Sequence, residues 1–224
     1  MKTTLKSILC ASTFVMLLGL PGHSFSANII LNGDFEINST VGVSVYNMDN
    51  ALFNTTVASA TAFGGAQEID LITAGSPYGL APESGNWKLA IHRSSSGEND
   101  AFSFTLGSAI VAGQNYILDF YAQRVITFDA GNGAIQIGVS SSPTSFGTLV
   151  FSGVADSDAW THFNQAFQSP VNGQYLTVQT DPNAAPTWNH LDNFSLTEVP
   201  EPAALSLFAA GVAATLARRR TKLP

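Results

Sequence analysis

The sequence predicts an all-β sandwich of about nine or ten strands. Apolar and polar residues alternate with a period of two in successive stretches, as in strands that bury one face. These stretches are 101–106, 116–120, 135–139, 160–168 and 176–178. Because no amphipathic helical pattern separates them, we expect two packed antiparallel sheets.

Turn-forming residues close each of these stretches. Gly, Asn, Asp, Ser and Pro tolerate positive φ or preset a turn, and they recur at regular intervals. The predicted turns are at 107–108, 112–115, 131–133, 142–143, 156–158, 172–173 and 181–183. Residues 38–66 lack such regularity, and we expect either one or two strands there or a long loop over one sheet edge.

Residues 1–26 have the pattern of a signal peptide, which implies a signal peptidase as partner. Lys2 and Lys6 precede an apolar core at 8–20, and small residues at 24 and 26 suit the peptidase. Cleavage after Ser26 is the first choice and cleavage after Ala27 the second. Cys10 lies inside the apolar core, so the mature chain would have no disulfide and no thiolate chemistry.

Residues 27–199 predict one domain that is large enough for a sizeable core. Between residues 28 and 199, three basic residues, Lys88, Arg93 and Arg124, face fifteen acidic ones, a formal charge of −12. The whole chain is at −7 because both its ends are basic. Binding to nucleic acid depends on neutralising phosphates, so this charge argues against nucleic acid and favours a cation as partner.

Residues 200–224 have the features of a sorting tail. Pro200, Glu201 and Pro202 precede an apolar run at 203–217, which is followed by basic residues. Fifteen residues of helix are about 22 Å long, shorter than the hydrocarbon core of about 30 Å, so the run is a marginal membrane span. The basic residues, which we expect to stay on the cytoplasmic side, are Arg218, Arg219, Arg220 and Lys222.

This tail closely resembles the PEP-CTERM signal of bacteria that have an outer envelope and exopolysaccharide. The resemblance implies that an exosortase recognises the Pro200-Glu201-Pro202 motif and that the hydrophobic helix anchors the chain only transiently. It also implies export to the cell envelope, the outer surface or the extracellular matrix of a bacterium with an outer membrane. A sorting signal indicates where the protein goes and leaves its activity open.

Two further motifs lie just inside the two ends of the domain. Residues 28–36, NIILNGDFE, and 190–197, HLDNFSLT, resemble the first and last strands of galactose-binding-like jelly rolls. Interior segments resemble this family too, at 68–70, 82–85, 87–91, 101–104 and 111–116. Many carbohydrate-binding modules and the DUF642-type cell-wall proteins have this fold. The resemblance implies a jelly-roll β-sandwich, and a fold does not by itself define an activity.

In that family the glutamate of the opening motif and the aspartate of the closing strand often bind a structural Ca²⁺, which implies Glu36 and Asp192 here. Two carboxylates brought together also repel unless a proton or a cation intervenes. Calcium accepts six to eight oxygen ligands, so Asn32, Asp34 and the Gly33 carbonyl are further candidates. Alternatively, Asp34 and Glu36 cap a turn and Asp192 accepts a backbone N–H.

Aromatic side chains offer a possible sugar-binding surface, since sandwich modules stack exposed rings on pyranose faces. The candidates are Trp87, Trp160, His162, Trp188 and Tyr78. We expect Trp188 and Tyr78 in loops, and Trp160 on the same strand face as His162. If these rings form such a surface, the predicted partner is extracellular polysaccharide. Alternatively, they are core or edge residues.

Catalytic motifs are missing from the sequence. It has no HExxH, no G-x-S-x-G and no P-loop, so its strand histidines are interpreted as ordinary ones. Asp119 is the one candidate for glycoside cleavage, and it could instead pair with Arg124. We therefore predict a non-catalytic protein. The alternatives are a structural or adhesive matrix protein that binds no sugar and, third, a polysaccharide-active enzyme.

Overall fold

The computed structural model describes residues 27–78, 80–125 and 131–200, and these form a β-sandwich. Its elements are β1 (Val45–Met48), α1 (Asn50–Thr56), β2 (Ala60–Ala62), β3 (Ile69–Thr73), β4 (Trp87–Arg93), β5 (Ala101–Ile110), β6 (Asn115–Arg124), β7 (Ala134–Ser140), β8 (Thr148–Val154), β9 (Thr161–Gln168), β10 (Gly173–Thr180) and β11 (Thr187–Glu198). A six-stranded sheet has the order β1-β3-β4-β11-β6-β9 and a five-stranded sheet the order β2-β5-β10-β7-β8. All the strand pairs are antiparallel, which confirms the predicted class.

The hydrophobic core lies between the two sheets. Alternate residues of each strand point inward, such as Leu118 and Phe120 of β6 and Phe102 and Phe104 of β5. Phe194 of β11 stacks on Phe120 with ring centroids 4.7 Å apart. Complete burial of such a ring contributes roughly 1.5–3 kcal/mol, so this aromatic cluster is a main source of stability.

Residues 38–66 contain two short strands, β1 and β2, which confirms one of the two expectations for this range. They also contain a helix, α1, that the sequence pattern did not predict. The helix α1 has seven residues, too few for a visible 3.6-residue period. Its start has a physical cause, since the Asp49 carboxylate accepts a hydrogen bond from the Leu52 N–H at 2.7 Å.

One prediction within the strands was wrong, and one strand was missed. The turn expected at 107–108 is absent, because β5 continues through Gly107 to Ile110. Gly107 leaves room for the side chain of Leu31, because a Cβ at residue 107 would lie only 3.1 Å from a methyl group of Leu31. Strand β8 had not been predicted, because it is an edge strand whose residues are half-buried or exposed without clear alternation.

The opening and closing segments of the domain are spatial neighbours, as predicted. The Ile29 N–H donates to the Leu196 carbonyl at 2.9 Å, and the Gly107 N–H donates to the Ile29 carbonyl at 2.8 Å. The opening motif thus contacts both sheets. It is a single bridge between Ile30 and Leu106 followed by turns, so the expectation of a first strand there was wrong.

The predicted signal peptide and sorting tail lie outside the described residues. Within the residues that the structure does describe, none of the helical structure has the length and apolar character needed to cross a membrane.

Candidate functional site

The outer face of the six-stranded sheet carries most of the polar and aromatic residues of interest. Since side chains alternate along a strand, the inward Leu89 and Ile91 of β4 place Lys88 and His92 on the opposite face. His92 is paired in register with Trp188 of β11, and this face therefore continues from β4 onto β11.

A long connection between β3 and β4 crosses this face. It runs from residue 74 to 86, and we call its described residues, 74–78 and 80–86, the strap. A connection of this length without regular structure is uncommon in a compact domain unless it has a role. Its two ends are tied down by Tyr46, whose hydroxyl is 3.0 Å from Ser76 Oγ, and by Glu36.

Glu36 and Asp192 both bind the final part of the strap. Glu36 Oε1 accepts the N–H groups of Asn86 at 2.5 Å and Trp87 at 2.8 Å. Asp192 Oδ2 accepts the N–H groups of Glu83 at 2.8 Å and Ser84 at 3.2 Å. Hydrogen bonds from backbone N–H groups to a carboxylate are among the stronger ones, so these two side chains hold the strap against the sheet.

The residues around these carboxylates explain the two terminal motifs. Gly33 allows close contact, since a Cβ there would lie 1.9 Å from the Phe194 carbonyl oxygen. Phe35 is completely buried, and both it and Asn193 have positive φ, at 58° and 56°. Non-glycine residues seldom adopt this conformation, and here it directly precedes Glu36 and directly follows Asp192.

Lys88 lies under the strap with its side chain completely buried. Its Nζ donates to the carbonyls of Tyr78, at 3.0 Å, and Leu80, and it is 3.0 Å from His190 Nδ1. Burial lowers the pKa of Lys88 to about 8, and the nearby Asp192 opposes this shift. Burial, and then the positive charge of Lys88, hold the pKa of His190 well below its usual value, so His190 is neutral at pH 7.

A cleft of about 410 Å³ opens on this face beside the strap. Its lining is formed by Tyr46, Asn47, Asp70, Ile72, Tyr78, Val125, Trp188 and His190. The three aromatic rings come from β1, the strap and β11. Tyr46 and Tyr78 are 39% and 42% exposed and pack edge to face, with ring centroids 5.5 Å apart. The cleft combines flat apolar surface with polar groups, a common composition for ligand sites.

The indole of Trp188 is held in the cleft by a stacked histidine. His92 stacks on its indole with ring centroids 4.4 Å apart and planes 7° from parallel. His92 Nδ1 in turn is 2.6 Å from Glu68 Oε2. This support fixes the orientation of the indole before any ligand arrives, which reduces the entropy lost on binding.

Asp70 is the carboxylate of the cleft. Its Oδ1 accepts the Asn47 N–H at 2.7 Å, which supports Asn47 at a φ of 52°. Burial, followed by the nearby Asp100 and Glu68, raises the pKa of Asp70 to about 6, and the Asn47 hydrogen bond opposes this shift. Burial also raises the pKa of Asp100, which is completely enclosed, to about 6.

These carboxyl groups predict that the protein becomes more stable in mild acid. The pKa of Asp192 is also raised by burial, to about 7. The folded protein then binds protons that the unfolded chain, with pKa values near 4, does not bind. His190 opposes this effect, since its lowered pKa favours the unfolded state in acid, but three carboxyl groups act in the other direction. The free energy of unfolding should therefore rise by about 2 kcal/mol or more between pH 7 and pH 5, because one pKa unit corresponds to about 1.4 kcal/mol. Urea unfolding with a chelator present measures this, and a fall in stability over that range would contradict it.

The remaining predicted sugar-binding residues lie elsewhere. Trp87 belongs to the hydrophobic core with 7% of its surface exposed, so its selection as a sugar-stacking ring was wrong. Trp160 Nε1 donates to the Ala81 carbonyl at 3.0 Å and is thus another support of the strap. Trp188 lies within β11 instead of at a loop tip, whereas Tyr78 is in the strap, as a loop residue.

Asp119 and His162 form a separate polar group on β6 and β9. His162 Nε2 is 2.8 Å from Asp119 Oδ2, and Asn164 donates to the same oxygen at 2.6 Å. The His162 ring stacks on Tyr121, with centroids 4.5 Å apart. These contacts replace the pairing with Arg124 that the sequence had offered as an alternative. The cleft lining includes none of these residues.

The predicted calcium ligands Glu36 and Asp192 contact neighbouring residues of the chain, 83–87, and all the predicted ligands have protein partners. Asp34 Oδ1 accepts the Glu36 N–H at 3.4 Å, and the Gly33 carbonyl accepts the Phe194 N–H at 2.9 Å. Asn32 bonds the backbone of Ile37 in both directions. The described residues contain no group of three or more His, Cys, Asp or Glu side chains arranged to hold a metal. A cation bound by Glu36 and Asp192 would share carboxylate oxygens that already accept N–H groups. Calcium binding at these residues therefore stays a prediction.

The tail, by contrast, is assigned by its sequence. Residues 198–220 match the family model of the PEP-CTERM protein-sorting motif. The chain carries a PEP-CTERM signal. This confirms the predicted sorting motif and indicates an exported, cell-surface protein that is processed by an exosortase. Comparison with the curated proteins finds no match.

Several solved structures resemble this chain in fold. An arabinose-bound GH51 α-L-arabinofuranosidase has 13% identity and a TM-score of 0.49 over 79% of this chain and 27% of its own. The K2 cleaved adhesin domain of Lys-gingipain has 11% identity and a TM-score of 0.47, covering 69% and 97%. The CBM22-1 xylan-binding domain of Paenibacillus barcinonensis Xyn10C has 13% identity and a TM-score of 0.42, covering 74% and 98%. The chain thus spans about a quarter of the arabinofuranosidase.

Sequence reasoning missed three important residues of this face, namely Tyr46, Asp70 and Lys88. Tyr46 and Asp70 lie on short strands without a clear alternating pattern. Lys88 did leave a signal, because it is the one lysine between residues 28 and 199 and it interrupts an apolar strand. A lone charge in such a strand indicates either a partnered buried group or an error in the assignment of the strand.

Proposed function

We propose that this exported protein is a non-catalytic polysaccharide-binding protein and that the cleft beside the strap is its binding site. The observation that carries the proposal is the convergence of three aromatic rings, from Tyr46, Tyr78 and Trp188, on one open cleft. Sugar rings present apolar C–H faces that stack on aromatic rings, while their hydroxyl groups need hydrogen-bonding partners at the edges. Asn47 and Asp70, which line the cleft, supply such partners.

The arrangement of carboxylates supports a binding function over glycoside cleavage. Canonical glycosidases place two carboxyl groups on either side of the scissile bond, about 5–9 Å apart. Asp70 is the one carboxylate in the lining described for the cleft, and Asp119 bonds His162 and Asn164 elsewhere on the sheet. Measurable hydrolysis of a bound polysaccharide that disappears in Asp119→Asn would overturn this part of the proposal.

Removal of the Trp188 indole tests the site itself. We expect Trp188→Ala to weaken binding of any polysaccharide found on a glycan array by at least about tenfold, since loss of one stacking ring costs about 1.4 kcal/mol or more. Isothermal titration with the array hits measures the effect. Tyr175→Ala is the matched control, because Tyr175 lies on β10 of the other sheet and should leave affinity unchanged.

Two outcomes would contradict the proposal in different ways. Equal loss of affinity in both variants would show that the cleft is not the site. A wild-type protein that binds nothing on an array of neutral and acidic glycans would favour a structural or adhesive matrix protein instead.

We also propose that Ca²⁺ binds at Glu36 and Asp192, which would supply a cation where burial makes the Asp192 charge unfavourable. If so, adding a chelator to calcium-loaded protein should lower the melting temperature by several degrees, because a ligand that binds only the folded state stabilises it. Differential scanning calorimetry measures this shift. An unchanged melting temperature would contradict calcium binding and leave the N–H contacts of both carboxylates as their complete role.

A further inference from the structure

We propose that Asp70 makes the cleft selective for uncharged sugar chains and against chains that carry uronate groups. This inference rests on the proposed polysaccharide-binding function and adds a ligand class to it. It depends on the position of Asp70, on the absence of a compensating cation in the described lining, and on the other carboxylates behind it.

Asp70 is held at the cleft surface by the backbone. Its Oδ1 accepts the Asn47 N–H at 2.7 Å, and its Cα is paired in register with Ala90 of β4. A carboxylate offers about four acceptor sites and no donor when ionised. One N–H therefore leaves Asp70 with capacity to accept hydrogen bonds from sugar hydroxyl groups, but none to donate to a ligand carboxylate.

No positive charge in the described lining offsets Asp70. Lys88 is on the same face of the sheet, yet its Nζ is buried and donates to the carbonyls of Tyr78 and Leu80. His190 lines the cleft and is neutral, since its pKa is well below its usual value. Arg93, at the end of β4, directs its Nη1 to the Glu98 carbonyl at 3.4 Å.

Further carboxylates strengthen the negative field at Asp70. Asp100 and Glu68 both act on Asp70 electrostatically, and His92 opposes them. Asp100 itself accepts the N–H groups of Glu68 at 3.0 Å and His92 at 2.9 Å. A low-dielectric cleft with charges of one sign focuses their potential on a bound ligand. A uronate in the cleft would meet like charge with no partner, whereas a hydroxymethyl group in the same place would not.

Matched sugar pairs test the inference. The probes are oligosaccharides of equal length and linkage that carry either a hydroxymethyl or a carboxylate group, such as oligogalactosides and oligogalacturonides, with the gluco pair beside them. At pH 8 we expect the purified full chain to bind the neutral member about fivefold to tenfold more tightly, the effect of one partly screened charge pair. Asp70→Asn keeps an acceptor for the Asn47 N–H and should abolish most of this preference.

Asp156→Asn is the charge-matched control, because Asp156 is exposed and outside the described cleft lining. It removes the same unit of charge and should keep the wild-type preference. At pH 5 the preference of the wild-type chain should shrink, since Asp70 is then largely protonated while a uronate, with a pKa near that of an ordinary carboxyl, stays ionised. Asp100 is protonated over the same range, so the Asp70→Asn variant at pH 5 and pH 8 separates the two carboxyls.

Each result then decides one point. Equal affinity of the wild-type chain for both members of a pair, or a preference unchanged in Asp70→Asn, would overturn the inference and leave the proposed function intact. An absence of binding to every neutral and acidic probe would overturn the proposed function, and with it this inference.

Discussion

Replacing Asp192 with alanine is expected to lower the free energy of unfolding by about 3 kcal/mol. The Asp192 carboxylate is completely buried and accepts three backbone N–H groups, from Glu83, Ser84 and Asn193. Alanine would leave these donors without their acceptor beneath the strap. The cost of an unpaired buried polar group is about 1–3 kcal/mol, and partial hydration of the loosened strap limits the total.

Urea unfolding of both proteins with a chelator present measures this effect apart from any bound calcium. Asp192→Asn is the matched control, since it keeps one acceptor oxygen and removes the unfavourable buried charge, and it should lose much less stability. If alanine and asparagine cost the same, or if alanine costs under about 0.5 kcal/mol, the strap is not held by Asp192.

Replacing Lys88 with methionine is expected to weaken polysaccharide binding by about tenfold, because Lys88 holds the part of the strap that lines the cleft. Methionine has a similar volume but no donor, so the carbonyls of Tyr78 and Leu80 lose the ammonium that holds them. Tyr78 would then move away from Tyr46, and the cleft would have to be reordered on binding at a cost in affinity. The free energy of unfolding should change less than the free energy of binding, because the variant also removes a buried charge.

Hydrogen exchange of the strap amides and titration with the bound glycan measure the two effects together. Arg93→Met is the control, because Arg93 is a cation at the end of the same strand and lies outside the described cleft lining. Strap exchange that is unchanged in Lys88→Met, or a matching loss of affinity in Arg93→Met, would contradict the positioning role of Lys88.

The architecture could be predicted because several strands that pack on the core alternate apolar and polar residues clearly. Strand β6 is an example, with a buried residue at every second position from Tyr116 to Ala122. Strand β8 could not be predicted, since its residues are half-buried or exposed without alternation and therefore leave no period in its sequence. The helix α1 is defined by a cap at Asp49 and not by a pattern, and it was missed for that reason.

The candidate site was predictable in part. Glu36 and Asp192 were expected to meet near the closing strand, and the structure places both on the final part of the strap. Asp192 does accept backbone N–H groups, as the alternative to calcium had it. Which loop supplies them could not be predicted, because backbone N–H groups leave no mark in the sequence. Trp188 and Tyr78 were among the expected rings, whereas Trp87 packs in the core, which was the alternative given for it. Side-chain direction in β4 depends on register, and one residue of shift exchanges core and surface.

Mapping a bound polysaccharide fragment by NMR tests the central claim most directly. We expect the largest changes in chemical shift at the Trp188 indole N–H and at residues of the cleft and the strap, including Tyr46 and Tyr78, with little change in the five-stranded sheet. Changes confined to the five-stranded sheet, or to the group around Asp119 and His162, with an unaffected Trp188 indole would contradict binding in the cleft.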